Sequence, residues 1–233
     1  VGAPFVLFGP DHLLALALVA AGSLLAFRAG QGRWAGTVAT VGGGAFALLA
    51  AILWLARLED GFQAYLDLPL WLCDIAFLLC VACFFRPNEL MLTLLAYWGL
   101  AGTLQALITP DVLSGFPSKE FLLFFTGHSV IVVGVFFLVG KSRPPRLATA
   151  RGVATAFAGL LVYSVVVGAL DALFGWNYGY LRGKPEGASV LDSMGAWPYY
   201  IANALVLALV LFVVVAGLLR LLWKLSDGAE SQQ

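Results

Sequence analysis

Two side chains with the chemistry of a nucleophile and a base stand in otherwise apolar stretches: Cys73 in Leu-Trp-Leu-Cys-Asp, and His128 in Phe-Phe-Thr-Gly-His-Ser. A thiol becomes a nucleophile when a base or a positive group draws off its proton, and a histidine can take that proton and return it to a leaving group. The plain alternative is packing, since a buried cysteine often behaves as a small hydrophobe and a lone histidine often bonds one helix to another. Cys80 and Cys83 lie deeper in the same apolar run and read as packing. Their C-x-x-C spacing has no second pair nearby, so no metal site and no cofactor are expected. Thr103 and Gln105 offer hydrogen bonds to a carbonyl or a developing oxyanion. His12, after Gly9-Pro10-Asp11, is either a third member of the site or interfacial, with Asp11 as the expected N-cap. Asp74 adjoins Cys73 but points about 100° away on a helix, toward Arg182 or Lys184 as an ion-pair partner or toward a histidine. Ser118 and Glu120 read as an N-cap and a first-turn acid.

These groups must be held by membrane helices. The 233 residues are 61% hydrophobic and 11% charged, with a mean hydropathy of +0.94; a soluble domain is about 25% charged. Basic and acidic residues balance at 13 each, so nothing points to nucleic acid. All three cysteines lie in one apolar run, which excludes a secreted disulfide framework, and no cleavable signal peptide is expected. A span needs about 20 mostly apolar residues. That rule predicts an all-α polytopic bundle of seven transmembrane helices at 10–28, 35–57, 68–85, 90–108, 119–140, 148–174 and 197–223. Residues 1–225 form a single domain, followed by a short polar, frayed tail at 226–233.

Orientation follows from the cations. With the N-terminus outside and the C-terminus cytoplasmic, Arg28, Arg33, Arg86, Lys141, Arg143, Arg146, Arg151, Arg220 and Lys224 lie inside. Only Arg57, Lys119, Arg182 and Lys184 lie outside. The same topology gathers His12, Cys73, Thr103, Gln105 and His128 in the outer half of the membrane. Polar groups at that depth are costly and face a bundle interior or a cavity.

The longest polar interval, Asn177 to Tyr200, lies between the last two spans on the same side. Its four tyrosines and Trp197 argue for order. Asn177, Tyr178, Arg182, Lys184, Asp192 and Trp197 are its candidate binding residues. Arg182 and Lys184 suit a phosphate head group, and the aromatic residues also suit a headgroup belt. The loop is expected to fold back as a roof over Cys73 and His128.

The motifs Phe8-Gly9-Pro10-Asp11-His12, Leu68-Pro69-Leu70-Trp71-Leu72-Cys73, Trp98-Gly99-Leu100-Ala101-Gly102-Thr103-Leu104-Gln105, Phe124-Phe125-Thr126-Gly127-His128 and Asn177-Tyr178 through Trp197-Pro198 resemble the YwaF family of bacterial integral membrane proteins. That family is related to the eukaryotic transmembrane protein 164 type. The resemblance implies a compact helix bundle in the bacterial cytoplasmic membrane. It also implies acyl transfer between glycerophospholipids through a cysteine, with phospholipid and lysophospholipid as partners. Cys73 matches the acyl-accepting cysteine and His128 its partner. One position departs: Trp71 stands where a polar residue is expected two before the cysteine. Transfer and hydrolysis share the first half of that chemistry. The other readings of the same polar layer are a lipid or small-molecule binder, a transporter, or a purely structural bundle. No oligomeric state follows.

Overall fold

A computed structural model describes residues 3–58, 61–185 and 189–230. Residues 59–60, the part of the polar interval at 186–188 and the end of the tail at 231–233 lie outside the described residues. The helices are α1 (Pro10–Gln31), α2 (Ala35–Arg57), the single turn α3 (Ala64–Asp67), α4 (Leu72–Phe85), α5 (Glu89–Ile108), α6 (Lys119–Lys141), α7 (Ala150–Phe174) and α8 (Tyr199–Glu230).

Six of these, α1, α2, α5, α6, α7 and α8, are long and apolar enough to cross a membrane. The seventh expected span is the exception. Leu68 and Trp71 are extended, with ψ near 140°, on either side of Pro69-Leu70, and the helix begins only at Leu72. A residue before proline is driven out of the helical region, so the apolar run at 68–85 yields 14 helical residues. At 1.5 Å per residue α4 is ~21 Å long, against a hydrocarbon core of about 30 Å. At the other end of the chain, α8 runs on through Ser226 to Glu230, past the expected end at 223. Gly9 precedes α1, which leaves Asp11 in its first turn rather than at the N-cap. Ser118 caps α6 as expected, accepting from Phe121 N at 3.1 Å.

The central element is α5. Of its most apolar window 61% is buried, against 11–44% in the other five long helices. Its middle, Trp98–Thr103, winds as a π-helix. Tyr97 and Trp98 tie it to α7 and the segment before it, donating to Leu147 O at 2.7 Å and Ala156 O at 3.2 Å. The outward faces carry Leu14, Leu18 and Leu25 on α1, Val162 and Val165 on α7, and Val206 and Val213 on α8. An apolar surface of that extent belongs against lipid, not water.

Polar contacts define two ends. At one, Arg57 pairs with Asp74, His12 meets Leu107 O, and Tyr180 donates to Asp111. At the other, Gln31 donates to Ser226, Arg146 N to Glu89, and Trp223 to Val139 O. The first is the site end. It gathers the starts of α1, α4 and α8 with the ends of α2, α5 and α7.

Candidate functional site

Cys73 is the second residue of α4, in the turn whose backbone N–H groups have no partner within the helix. The side chain is half-buried. The turn at Pro69-Leu70 and the extended Trp71 produce this placement, because they delay the helix until the cysteine falls in the first turn, where the helix dipole favours negative charge.

Asp74 pairs not with Arg182 or Lys184, which bond Asp171 O and approach Asp192, but with the last residue of α2: Arg57 Nη1 lies 2.9 Å from Asp74 Oδ1. The other carboxylate oxygen of Asp74 is buried and has no hydrogen-bond partner among the described residues. The ion pair therefore places the Arg57 guanidinium beside the residue that follows Cys73. This cation was counted from sequence only as a loop charge; its role emerges when the end of α2 meets the start of α4.

His128 bonds through Nδ1 to Phe124 O at 2.8 Å and stacks on the Phe124 ring at 4.1 Å. A carbonyl only accepts, so Nδ1 carries the proton and Nε2 keeps its lone pair. That is the tautomer a general base requires. No hydrogen bond joins His128 to Cys73 among the described residues. Catalytic hydrogen bonds are often long in an unliganded site and tighten around substrate.

His12 is different. It is fully buried, Nε2 donates to Leu107 O at 2.8 Å, and Nδ1 accepts from Phe8 N at 3.0 Å. Both nitrogens are used, and the Phe5, Phe8 and Phe125 rings surround it. It locks the start of α1 to the end of α5. His12→Phe is expected to cost about 2–3 kcal/mol, because it strands a buried carbonyl and an N–H. Chemical unfolding in detergent would measure this, and an unchanged midpoint would contradict the assignment.

Of the expected oxyanion donors, Gln105 turns along its own helix end. Its amide donates to Thr109 Oγ1 at 2.8 Å, and Thr109 donates back to Gln105 O at 3.1 Å. Thr103, in the π-helical segment, is 2% exposed and its hydroxyl has no partner among the described residues.

The interval from Asn177 folds back over the entry to α4. Tyr178 is fully buried; its hydroxyl donates to Ala64 O at 2.7 Å and accepts from Leu68 N at 3.0 Å. Trp71 meets the Tyr178 and Tyr180 rings at 5.2 and 5.3 Å. Trp71, where a polar residue was expected, therefore supplies the surface against which these two tyrosines pack. Burial, and the Asp111 carboxylate beside it, push the Tyr180 phenol well above its ordinary range, so it stays a donor to Asp111.

The remaining loop residues mostly organise the loop itself. Asn177 Oδ1 accepts from Arg182 N and Gly183 N, each at 2.9 Å. Arg182 donates to Asp171 O at 3.1 Å, at the end of α7. Lys184 lies 3.9 Å from Asp192 and 5.7 Å from the centre of the Tyr200 ring. Asp192 accepts from Ser189 N at 2.8 Å, and Trp197 donates to Leu181 O at 3.1 Å.

Two further residues belong to this neighbourhood and were not singled out from sequence. Tyr163 donates to Leu70 O at 2.8 Å, three residues before Cys73. Asp171, 0% exposed, accepts from Tyr178 N at 3.0 Å through one oxygen; the other has no partner among the described residues. Its signal was available: it is the one acid between Ala150 and Phe174. Among the described residues no group of three or more His, Cys, Asp or Glu has metal-binding geometry.

Fold and site together define a polytopic integral membrane protein with a cluster of ionisable and aromatic side chains at one end of the bundle. The model of the TMEM164 family matches residues 7–216, and the chain belongs to that family. No curated protein and no solved structure matches the chain.

Proposed function

We propose that this protein is a membrane-embedded acyltransferase that moves a fatty acyl chain between glycerophospholipids through a thioester on Cys73. The reading rests above all on one observation: a thiol in the first turn of α4 stands next to the Arg57–Asp74 pair, in a protein whose His128 is held in the tautomer of a base. Family membership supports the same class of reaction.

In the proposed cycle, Cys73 Sγ attacks the ester carbonyl carbon of a phospholipid and its proton passes to His128 Nε2. The oxyanion forms beside Arg57 and the N–H groups of the first turn of α4, with the Thr103 hydroxyl as a further donor. Gln105, engaged with Thr109, is the weaker candidate for that role. Collapse breaks the C–O bond, and the departing lysophospholipid oxygen takes the proton from His128. The hydroxyl of a second lysophospholipid then attacks the thioester, giving its proton to His128. The new ester leaves, and the proton returns to Cys73. Water in place of the second lipid gives hydrolysis by the same steps.

In this account the Asn177–Tyr200 loop is the roof. Arg182 and Lys184 hold it closed and present positive charge to a phosphate at its rim, with Asn177, Tyr178, Asp192 and Trp197 fixing its shape. The site end faces outward, α4 completes a seven-segment bundle, the C-terminus is cytoplasmic, and the location is the bacterial cytoplasmic membrane.

The purified protein, given a phospholipid with one fluorescent acyl chain, is expected to move the label to added lysophospholipid. His128→Gln should lower that turnover by about 10²–10⁴-fold, the usual contribution of a general base. Equal turnover by His128→Gln would remove the histidine from the chemistry. No acceptor-dependent transfer by wild type would favour a lipid-binding protein or a transporter.

A further inference from the structure

The opposite end of the bundle carries a second feature, unconnected with the proposed chemistry. A shallow trough of about 450 Å³ runs along one face of α8, lined by Gly217, Arg220, Leu221, Trp223, Lys224 and Asp227. Arg220 lies ~31 Å along the helix from Tyr199 at 1.5 Å per residue. That matches the ~30 Å hydrocarbon thickness, so the trough begins in the apolar layer at Gly217 and opens at headgroup depth.

We propose that this trough binds the phosphodiester head group of an anionic membrane lipid. Arg220 and Lys224 stand one helical turn apart, about 6 Å between their Cβ atoms, a spacing at which one phosphate can bridge them. Arg220 Nε is held by Ala148 O, which directs the side chain and leaves both terminal nitrogens without a hydrogen-bond partner among the described residues. Lys224 is exposed and likewise without a partner among them. The one acid in the trough, Asp227, is already matched by Arg143, which also donates to Ser226. Two cations therefore remain unbalanced.

The apolar half of the trough fits a lipid rather than a free anion. Gly217 leaves the helix surface open, with no atom within 4 Å of where a Cβ would stand. Leu221 is exposed beside it. Trp223, fixed by its bond to Val139 O at 3.0 Å, gives an indole at interface depth. Cations at a membrane boundary follow from the positive-inside bias alone. The built elements here are the open glycine, the anchored tryptophan and the internally neutralised Asp227.

The full chain, extracted from vesicles of mixed phosphatidylglycerol and phosphatidylcholine, would be weighed intact to count retained lipids. Wild type is expected to keep phosphatidylglycerol over phosphatidylcholine by on the order of tenfold, and Lys224→Gln to lose about fivefold of that preference, one basic residue's contribution near an anionic surface. Lys224 bonds nothing among the described residues, so this variant should melt like wild type. The double variant Arg220→Gln/Lys224→Gln should lose the preference entirely. Arg151→Gln, at the same end but outside the trough, should keep it. Unchanged retention in Lys224→Gln, or an equal loss in Arg151→Gln, would overturn the site in favour of a diffuse field. Displacement of the lipid by millimolar glycerol 3-phosphate would overturn the lipid assignment.

Discussion

Cys73→Ala is expected to lower acyl transfer by at least about 10³-fold while the protein still folds. The magnitude follows from the type of step: removing a covalent nucleophile leaves only what binding and oxyanion stabilisation supply. Folding should survive because Cys73 is half-buried and makes no side-chain bond between helices among the described residues. The other two cysteines make the comparison informative. Cys80 and Cys83 are fully buried, and Cys80 packs directly against Gly134 of α6. Alanine at either should cost stability by a cavity term of about 1–2 kcal/mol and leave turnover per folded molecule within a few fold. Transfer that survives Cys73→Ala, or disappears equally in Cys80→Ala, would assign the thiol to packing.

The second large effect concerns the scaffold. Gly140→Val is expected to destabilise the protein by about 3 kcal/mol, at the upper end for forcing bulk into a close-packed contact. Helices α1 and α6 share the most extensive contact in the bundle, and they meet backbone to backbone. A Cβ at Gly140 would overlap the Phe27 carbonyl, and one at Gly30 would overlap the Phe137 carbonyl. Without a hydrophobic force between helices in lipid, such close approach through small residues supplies much of the packing energy. Neither atom in the way is the movable end of a side chain; both are backbone, so the helices must separate. Gly44, by contrast, has nothing within 4 Å of its Cβ position, and Gly44→Ala should be neutral. Thermal unfolding in one detergent compares the three proteins. A Gly140→Val midpoint equal to wild type would mean that the crossing is looser than described.

The long helices were legible because a membrane reduces the problem to counting apolar residues. The failure at α4 has the same origin: counting from 68 to 85 ignores the backbone that Pro69 forces on Leu68. That error has functional weight, since it moves Cys73 from the interior of a helix to its first turn. His12, Cys73 and His128 were visible as polar side chains in apolar runs, but not the use each is put to. The difference between a clamped His12 and a His128 with a free lone pair lies in tertiary partners, Leu107 O and Phe8 N against Phe124 O alone. Arg57 was hidden in the same way, because a cation at a helix end reads as a loop charge until Asp74 is found opposite it. The loop residues Asn177, Arg182 and Lys184 looked free to meet a ligand. Their closest partners are one another's backbone, the end of α7 and Asp192.

A covalent acyl-enzyme on Cys73 should be visible by intact-protein mass measurement after brief exposure to a phospholipid. Wild type should gain the mass of one acyl chain, on a peptide containing Cys73, and lose it on addition of hydroxylamine or a lysophospholipid acceptor. Cys73→Ala should gain none. A wild-type protein that turns over lipid with no such adduct, even when acceptor is withheld, or an adduct that persists in Cys73→Ala, would contradict the thioester mechanism.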